Sequence, residues 1–198
     1  VHISNTLKPT HHCRKAAGKA MSALRLLKIA FGALTESNFK LLYTVYVRPH
    51  LEYCIQAVGP HMVQDLQTLE KVQRRATRLV MGFNGLSYEE RLRKLKLTTL
   101  KERFERGDFI ETYKLLTRKL KIDPTQFFQE NVQGRTRGHP LKLKVRRAKR
   151  VIRAKVFSNR IVTTWNKLPP AVVSAASTNQ FKNKLDKYLA SRMATPHP

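Results

Sequence analysis

The sequence predicts a mainly α-helical protein, in which a helical bundle is followed by a basic, α-rich segment with a short strand or hairpin. Apolar residues recur at intervals of three and four along most of the 198 residues, which is the spacing of a buried helix face. Helix start and stop signals separate these stretches. A chain of this length can bury one ordinary core, or one core with a small appendage.

Two long helical segments are predicted in the first third of the chain. The first begins at Thr10, buries a row of mostly small apolar residues and ends at Gly32. The second begins at Thr35 and is expected to kink or break at Pro49, because proline lacks an N–H donor and clashes with the preceding turn. Residues 51–58 should continue as a separate piece.

The chain opens on the β-like run Val1, His2 and Ile3 and has no initial methionine. This opening predicts a strand already under way. We therefore expect the chain to be a piece of a longer protein.

Residues 65–100 contain one helix, its end and two further helix starts. Apolar side chains recur at helical spacing up to Val80, whereas three arginines, Arg74, Arg75 and Arg78, fall elsewhere on the same helix. One face of this helix is expected to enter the core. The arginines give it a separate cationic face.

Capping signals divide this stretch further. Gly82 suits the left-handed residue that ends a helix. Ser87 with Glu90, and Thr99 with Glu102, have the spacing of a capping box, in which a hydroxyl and a carboxylate accept the free N–H groups of a helix start. The sequence therefore predicts one short helix after Ser87 and a longer one after Thr99 that runs to about residue 118.

A shift in charge predicts a domain boundary after residue 130. Residues 1–130 carry 23 basic and 12 acidic side chains, whereas residues 131–198 carry 16 and 1. The net charges are thus +11 and +15, so the smaller part holds the larger charge. We interpret residues 1–130 as a helical bundle and residues 131–198 as a nucleic-acid-binding segment.

Three elements are predicted in the basic segment. Apolar and basic residues alternate over residues 141–145, which is typical of a half-exposed strand. A helix is expected from about 150 to 165. Ser177 with Gln180 is a further capping box, and it predicts a last helix with an apolar face.

The net charge of +26 indicates a polyanionic partner, and nucleic acid is the leading candidate. A basic protein of the membrane surface is the alternative. No apolar run approaches the length of a membrane span, and the start lacks the features of a signal peptide, so no membrane partner is expected.

Cys13 and Cys54 form no disulfide framework, which favours reduced thiols in a nuclear or cytoplasmic protein. His11, His12 and Cys13 could ligate zinc, but no CxxC pair accompanies them. A solvated helix N-terminus is the favoured interpretation of this triplet.

No catalytic motif is found in the sequence. Polymerases and nucleases need carboxylates that converge on divalent metal, and the only adjacent acidic pair is Glu89 and Glu90. Their place in the first turn of a predicted helix explains them as capping residues. A phosphate-binding glycine loop and a serine nucleophile elbow are also absent.

Nucleic-acid binding is therefore assigned to basic side chains rather than to a catalytic group. For the basic residues from Arg135 to Arg160, the alternative is a solvated charge run, or a nuclear-import sequence over residues 144–155. Apolar residues continue through this run, which favours a folded surface. Phe157 and Trp165 are interpreted as core rather than as base-stacking platforms. The assigned residues are Arg74, Arg75, Arg78, Arg135, Arg137, Lys142, Lys144, Arg146, Arg147, Lys149, Arg150, Arg153, Lys155 and Arg160.

Several short strings occur in an order that resembles the C-terminal region of LINE-type (non-LTR) retrotransposon reverse transcriptases of the jockey-like and chicken-repeat-like groups. They cover nearly the whole chain, and their shared order is more specific than any one of them. Prominent among them are Val47-Arg48-Pro49-His50-Leu51-Glu52-Tyr53, Leu69-Glu70-Lys71-Val72-Gln73-Arg74-Arg75, Leu86-Ser87-Tyr88-Glu89-Glu90-Arg91-Leu92, Arg106-Gly107-Asp108, Arg137-Gly138-His139, Phe157-Ser158-Asn159-Arg160 and Trp165-Asn166-Lys167-Leu168-Pro169.

The resemblance implies that residues 1–130 are a thumb-like bundle that holds the template-primer duplex, with a post-thumb segment after it. The expected partners are RNA and DNA, namely the template-primer duplex and the element's RNA, and the palm and fingers of the same polypeptide. The family's catalytic aspartates have no counterpart here, so enzymatic activity of this chain stays open, and Mg²⁺ is expected only in the palm. The alternative is a free-standing nucleic-acid-binding module, or an inactive relic of such an element.

Overall fold

The computed structural model describes residues 1–5, 7–131 and 138–194, and all regular secondary structure in these ranges is helical. The predicted mainly α-helical class is therefore confirmed. The chain divides into two compact units, Val1–Phe104 (unit 1) and Glu105–Pro198 (unit 2). Among the described residues, no helix has the length and apolar character needed to cross a membrane.

Unit 1 contains a long pair of helices and several shorter ones. A π-helical turn over Tyr43–Val47 joins α2 to α3. The division between the units falls within α7. The helices are α1 (Thr10–Phe31), α2 (Glu36–Leu42), α3 (Arg48–Glu52), α4 (Ile55–Val58), α5 (Val63–Thr77), α6 (Tyr88–Leu95) and α7 (Leu100–Leu116).

The core of unit 1 lies where α1 contacts α5. Ala16 and Ala20 of α1 are buried in one cluster with Leu69, Val72 and Ala76 of α5. Small side chains let two helix backbones approach closely, so the predicted row of small residues serves close packing.

The break expected around Pro49 is spread over two places. Ahead of the proline, the backbone widens into the π-helical turn, and Pro49 then occupies the first turn of α3, where its missing N–H is tolerated. The helical conformation ends after α3, where Cys54 adopts a left-handed conformation at φ 60° before α4 begins.

The predicted caps of unit 1 form where both partners are local. Ser87 and Glu90 make a complete capping box at α6. Thr99 Oγ1 accepts the Glu102 N–H, and the Thr99 N–H donates to the Glu102 carboxylate at 2.9 Å. Helix α5 ends at Thr77, short of the predicted stop at Gly82.

Unit 2 consists of the second part of α7 and of short helices, closed by one long helix. A 3₁₀ turn spans Pro124–Gln126. The remaining helices are α8 (Val151–Lys155), α9 (Phe157–Arg160), α10 (Val162–Trp165), α11 (Pro170–Val173) and α12 (Thr178–Ala194).

The core of unit 2 is aromatic and centred on Trp165. Its ring is fully buried, and its Nε1–H donates to the Leu141 carbonyl at 2.8 Å. Phe181 of α12 stacks on Tyr113 of α7 with 4.2 Å between the ring centroids. Phe157 is also buried, so the prediction that Phe157 and Trp165 belong to the core is confirmed.

The predicted strand or hairpin is not confirmed in the described residues. One antiparallel bridge joins Glu130 to Leu143. On the other edge of Leu143, the side-chain amide of Asn166 takes the place of a neighbouring strand, accepting the Leu143 N–H at 2.9 Å and donating to its carbonyl at 2.8 Å. The alternation also fails at Val145, whose side chain is exposed.

The helix predicted over residues 150–165 is divided into three pieces. Val156 adopts an extended conformation between α8 and α9, and α9 and α10 meet at Ile161. The predicted apolar face is nevertheless correct, because Phe157, Ile161 and Trp165 are all buried.

The compact units meet at residues 104 and 105, whereas the shift in charge predicts a boundary after residue 130. The difference has a physical reason. Phe109, Ile110 and Tyr113 belong to the same buried cluster as Phe128 and Trp165. Charge composition describes the surface, while these buried side chains decide where the core of unit 2 begins.

The opening residues 1–5 contain no strand in the structure, so the expectation of a strand at the start is wrong. The expectation of a solvated N-terminus for α1 holds only for His11, which is exposed. His12 and Cys13 are buried, and His12 Nε2 lies 3.3 Å from the Tyr53 carbonyl.

Candidate nucleic-acid interface

Two of the three arginines predicted on α5 line separate grooves of unit 1. Arg75 faces α1, whereas Arg78 lines a groove formed by α6 and the loop that precedes it. Arg74 is one helical turn before Arg78, and its guanidinium stacks on the Tyr88 ring. All three arginines are exposed. The structure therefore does not bring them together on one face.

The first groove, called here the α1/α5 groove, holds two cations that the sequence analysis missed. Arg25 and Lys28 of α1 line it together with Arg75, and Leu24 and Leu79 supply apolar lining. Its volume is about 430 Å³. The spacing of Arg25 and Lys28 places them on one helix face, but only the packing of α1 on α5 brings that face to Arg75.

The second groove, called here the Arg91 groove, is open and has a volume of about 500 Å³. Arg78, Phe83, Gly85 and Arg91 contribute to its lining. Arg91 is buried, with 5% of its surface exposed. The sequence analysis missed this residue, because periodicity alone does not show that a charged side chain on α6 is covered by its neighbours.

A buried polar network fixes the aromatic ring beside these arginines. Gln73 of α5 accepts from the Tyr43 hydroxyl at 2.6 Å and donates to the Tyr88 hydroxyl at 2.9 Å and to the Thr98 carbonyl at 2.9 Å. The Tyr88 hydroxyl also donates to Glu70. Burial, followed by the hydrogen bond to Glu70, raises the pKa of Tyr88 far above its usual value, so the hydroxyl stays protonated.

The arginines of the two grooves differ from other arginines of unit 1 in their partners. Arg103 of α7 is paired with Glu52. In the part of the chain that the structure describes, no ion pair includes Arg74, Arg75, Arg78 or Arg91.

In unit 2, the predicted basic residues fall into three groups. Lys144, Arg147, Lys149, Arg150, Arg153 and Lys155 are exposed, and Arg146 is half-buried. Lys142 is half-buried, with its side chain against Gly138. Arg135 and Arg137 lie outside the described residues.

Arg160 has a role inside unit 2. Its guanidinium binds Asp108 through two hydrogen bonds, from Nε at 2.7 Å and from Nη2 at 2.9 Å. Asp108 is buried, and burial raises the pKa of this carboxyl although Arg160 acts in the opposite direction. Because the charge of Arg160 is neutralised in this way, we assign it to the fold rather than to the interface.

The apolar residues within the basic segment do not all turn inward, contrary to the expectation. Leu143 is buried, whereas Val145, Val151, Ile152 and Val156 are exposed, the first two by 60% and 73%. Helix α8 has five residues and buries none of them.

The candidate metal ligands are held in other roles. Glu90 is occupied by the capping box. Burial, and then the charge of Asp65, raises the pKa of the Cys13 thiol to about 12, so it stays protonated at neutral pH. Among residues 1–5, 7–131 and 138–194, no three His, Cys, Asp or Glu side chains lie close enough to hold a metal ion. The described residues therefore do not fit the Mg²⁺ of a polymerase palm.

What the described surface offers is a set of cations around shallow grooves, without a paired carboxylate site. Such a surface can bind the phosphates of a nucleic-acid backbone. It lacks the enclosed, mostly apolar pocket that a small-molecule ligand usually occupies. Comparison with family models, with curated proteins and with solved structures finds no match to this chain.

Proposed function

We propose that the chain binds nucleic acid through its basic surfaces, as the non-catalytic C-terminal part of a non-LTR retrotransposon reverse transcriptase that grips the RNA/DNA template-primer. The observation that carries the proposal is the α1/α5 groove, which Arg25, Lys28 and Arg75 line without an ion pair to any described carboxylate. The assignment to a reverse transcriptase depends on the resemblance of the ordered sequence strings.

The charges of the α1/α5 groove support binding to a backbone. Three cations around one groove repel one another, and phosphate oxygens relieve that repulsion. Arginine also matches the geometry of phosphate with two parallel hydrogen bonds. Met21, Leu24 and Leu79 line the same groove, so apolar surface is available to a sugar or a base edge beside the phosphates.

The exposed cations of unit 2 support the same function independently. Six of them lie within residues 144–155 and face solvent. Each phosphate that such a cation neutralises releases counterions from the nucleic acid, so binding weakens as salt rises. The same run suits nuclear import, and we propose a nuclear and cytoplasmic location for the protein.

The proposed mechanism is positional and electrostatic. The cations hold phosphates, and the two helical units supply rigid supports for them. The polymerase chemistry is assigned to a palm outside this chain.

Binding of the full 198-residue chain to a fluorescent RNA/DNA duplex tests the proposal. We expect micromolar or tighter affinity at moderate salt, with a steep fall as salt increases. Arg75→Gln should weaken binding and lower the slope of log affinity against log salt by about one unit. Arg14→Gln is the matched control, because Arg14 is exposed on α1 but does not line the groove.

Two outcomes would contradict the proposal. One is the absence of salt-dependent binding by a folded chain. The other is an equal loss of affinity for Arg75→Gln and Arg14→Gln, which would show that the groove contributes only through the overall charge of the chain.

The assignment to a polymerase has its own test. Joined to a palm and fingers of the resembling family, the chain should lengthen the products made in the presence of a trap, and Arg74→Glu with Arg75→Glu should shorten them without changing single-nucleotide insertion. Unchanged product lengths would favour the alternative, a free-standing nucleic-acid-binding module.

A further inference from the structure

Arg91 has an unusual environment for a buried charge. Its Nε atom is fully covered and has no hydrogen-bond partner among the described residues. A buried donor without a partner costs free energy, and a buried charge costs more unless an opposite charge accompanies it. In native proteins, buried polar groups without a hydrogen-bond partner are rare.

Two neighbours of Arg91 are themselves cationic. Burial lowers the pKa of its guanidinium, and the charges of Arg78 and Arg74 lower it further. The Cζ atoms of Arg74 and Arg91 lie 4.2 Å and 5.8 Å from the centroid of the Tyr88 ring. The π-electrons of that ring offset the charge only in part.

The nearest acidic residues do not neutralise these arginines. Glu90 lines the groove with Arg78 and Arg91, so one negative charge stands against two positive ones. The Glu90 carboxylate accepts the Ser87 N–H at 2.7 Å within the capping box and forms no ion pair with either arginine in the described residues. Glu89 favours the charged form of Arg91 only as a minor influence and forms no ion pair with it in the described part of the chain. An excess of positive charge therefore remains in the Arg91 groove.

The groove is open at the point where a ligand would enter. Gly85 lines it with φ 85°, a conformation that favours glycine, and a Cβ built at this position would meet no heavy atom within 4 Å. The Tyr88 ring is held in place by Gln73 and Glu70, so the cations packed on it are positioned before any ligand binds.

We propose that Arg78 and Arg91, with Arg74 beside them, form a binding site for one phosphate group of a nucleic-acid backbone. The proposal rests on the proposed function for the source of the phosphate, but the site itself depends only on the unpartnered charges. A phosphate would give Arg91 an anionic partner that the described residues do not provide, and it would relieve the repulsion among the three arginines.

Thermal unfolding of the full chain in inorganic phosphate tests the site directly, with chloride used to keep the ionic strength constant. The melting temperature of the parent chain should rise with phosphate and then saturate. Arg78→Gln and Arg91→Gln should lose most of that rise. Arg93→Gln is the matched control, because Arg93 is exposed on the same helix and should behave as the parent does. An equal rise in all four proteins, or no rise in the parent, would overturn the proposal.

The same variants bound to the RNA/DNA duplex connect the site to nucleic acid. We expect Arg78→Gln and Arg91→Gln to weaken binding by about tenfold, as for a lost hydrogen bond to a charged group, and Arg93→Gln by much less. Arg78 is exposed, so its variant stays informative if Arg91→Gln fails to fold. Equal losses for all three variants would overturn the proposal.

The two proposals can fail separately. If the parent chain binds no duplex but saturates with phosphate at Arg78 and Arg91, the proposed function is wrong and the phosphate site stands. If the chain binds the duplex and neither Arg78→Gln nor Arg91→Gln loses more affinity than the Arg93→Gln control, the phosphate site is wrong and the broader function stands.

Discussion

Unit 1 and unit 2 both bury polar groups, but they satisfy them in different ways. At the centre of unit 1, Gln73 joins two tyrosine hydroxyls and a backbone carbonyl, and the Glu70 carboxylate at the edge of this network accepts from Tyr88 and from the Leu100 N–H rather than from an arginine. In unit 2, the buried carboxylate of Asp108 is paired with Arg160, and the rest of the interior is largely aromatic.

This difference distinguishes arginines that stabilise the fold from arginines that are available for binding. Where a buried carboxylate accepts the guanidinium, as Asp108 does for Arg160, the arginine is part of the fold. Where a half-buried carboxylate accepts from a hydroxyl and a backbone N–H, as Glu70 does, the arginines packed beside the network form no ion pair in the described residues. Arg74, Arg78 and Arg91 are of this second kind.

The largest expected effect is at the aromatic centre of unit 2. Trp165→Ala should lower the free energy of unfolding by about 3–5 kcal/mol, because the fully buried ring leaves a cavity. Trp165→Phe should cost less, because a phenyl ring still fills much of the space of the indole. It loses the hydrogen bond from Nε1 to the Leu141 carbonyl. Urea unfolding followed by circular dichroism measures both. Equal losses for the two variants would show that the hydrogen bond, and not the packing, is decisive.

The ion pair of Asp108 should come next. Asp108→Ala leaves the Arg160 guanidinium without its partner in a largely covered site, and we expect a loss of about 3 kcal/mol. Trp165 is the only tryptophan, so its fluorescence follows the unfolding of this unit.

Asp186→Ala is the control for Asp108→Ala. Asp186 is paired with Arg106, but its side chain is 49% exposed, so the expected loss is below about 1 kcal/mol. Similar losses for the two variants would contradict the distinction between structural and solvent-screened pairs.

The network around Gln73 in unit 1 should be less costly to break. Gln73→Leu leaves the hydroxyls of Tyr43 and Tyr88 short of partners, and we expect a loss of about 1–3 kcal/mol. Gln67→Leu on the same helix is exposed and should change the free energy of unfolding by less than about 0.5 kcal/mol. Urea unfolding followed by circular dichroism compares them. A loss for Gln73→Leu as large as that for Asp108→Ala would remove the contrast between the two interiors.

Features that depend on residues close in sequence were predictable. The capping box of Ser87 and Glu90, the cap at Thr35 and the glycine end of α1 at Gly32 all form as expected, because both partners lie within one helical turn. The helical class follows from the same local periodicity.

Features that depend on distant partners were not predictable in the same way. In the described residues, the alternation over residues 141–145 gains only the bridge from Glu130 to Leu143, since the Asn166 side chain occupies the other edge. The grouping of Arg25 with Arg75, and the burial of Arg91, exist only after helices pack. The α5 arginines were found from sequence, while their partition between two grooves was not.

The smallest expected effect is a dependence on pH that belongs to unit 2. His139 is buried against Trp165, and its Nε2–H donates to the Trp165 carbonyl at 3.1 Å. Burial lowers the pKa of His139 below 6.5, although this hydrogen bond acts in the opposite direction. Below pH 6.5 the unfolded chain therefore binds a proton that the folded chain resists.

The stability that neutral His139 provides should thus be complete above its unfolded pKa and should be lost as the pH falls, by at most about 1.4 kcal/mol per pH unit for one proton. Unfolding in urea at pH 7.5 and 5.5, conditions chosen on either side of about 6.5, measures this loss through Trp165 fluorescence. His139→Gln should lose less stability than the parent between the two pH values, whereas His11→Gln, at an exposed position, should match the parent. An unchanged pH dependence in His139→Gln would assign the titration to other groups, and the interior of unit 2 would then be as insensitive to protonation as the amide network of unit 1.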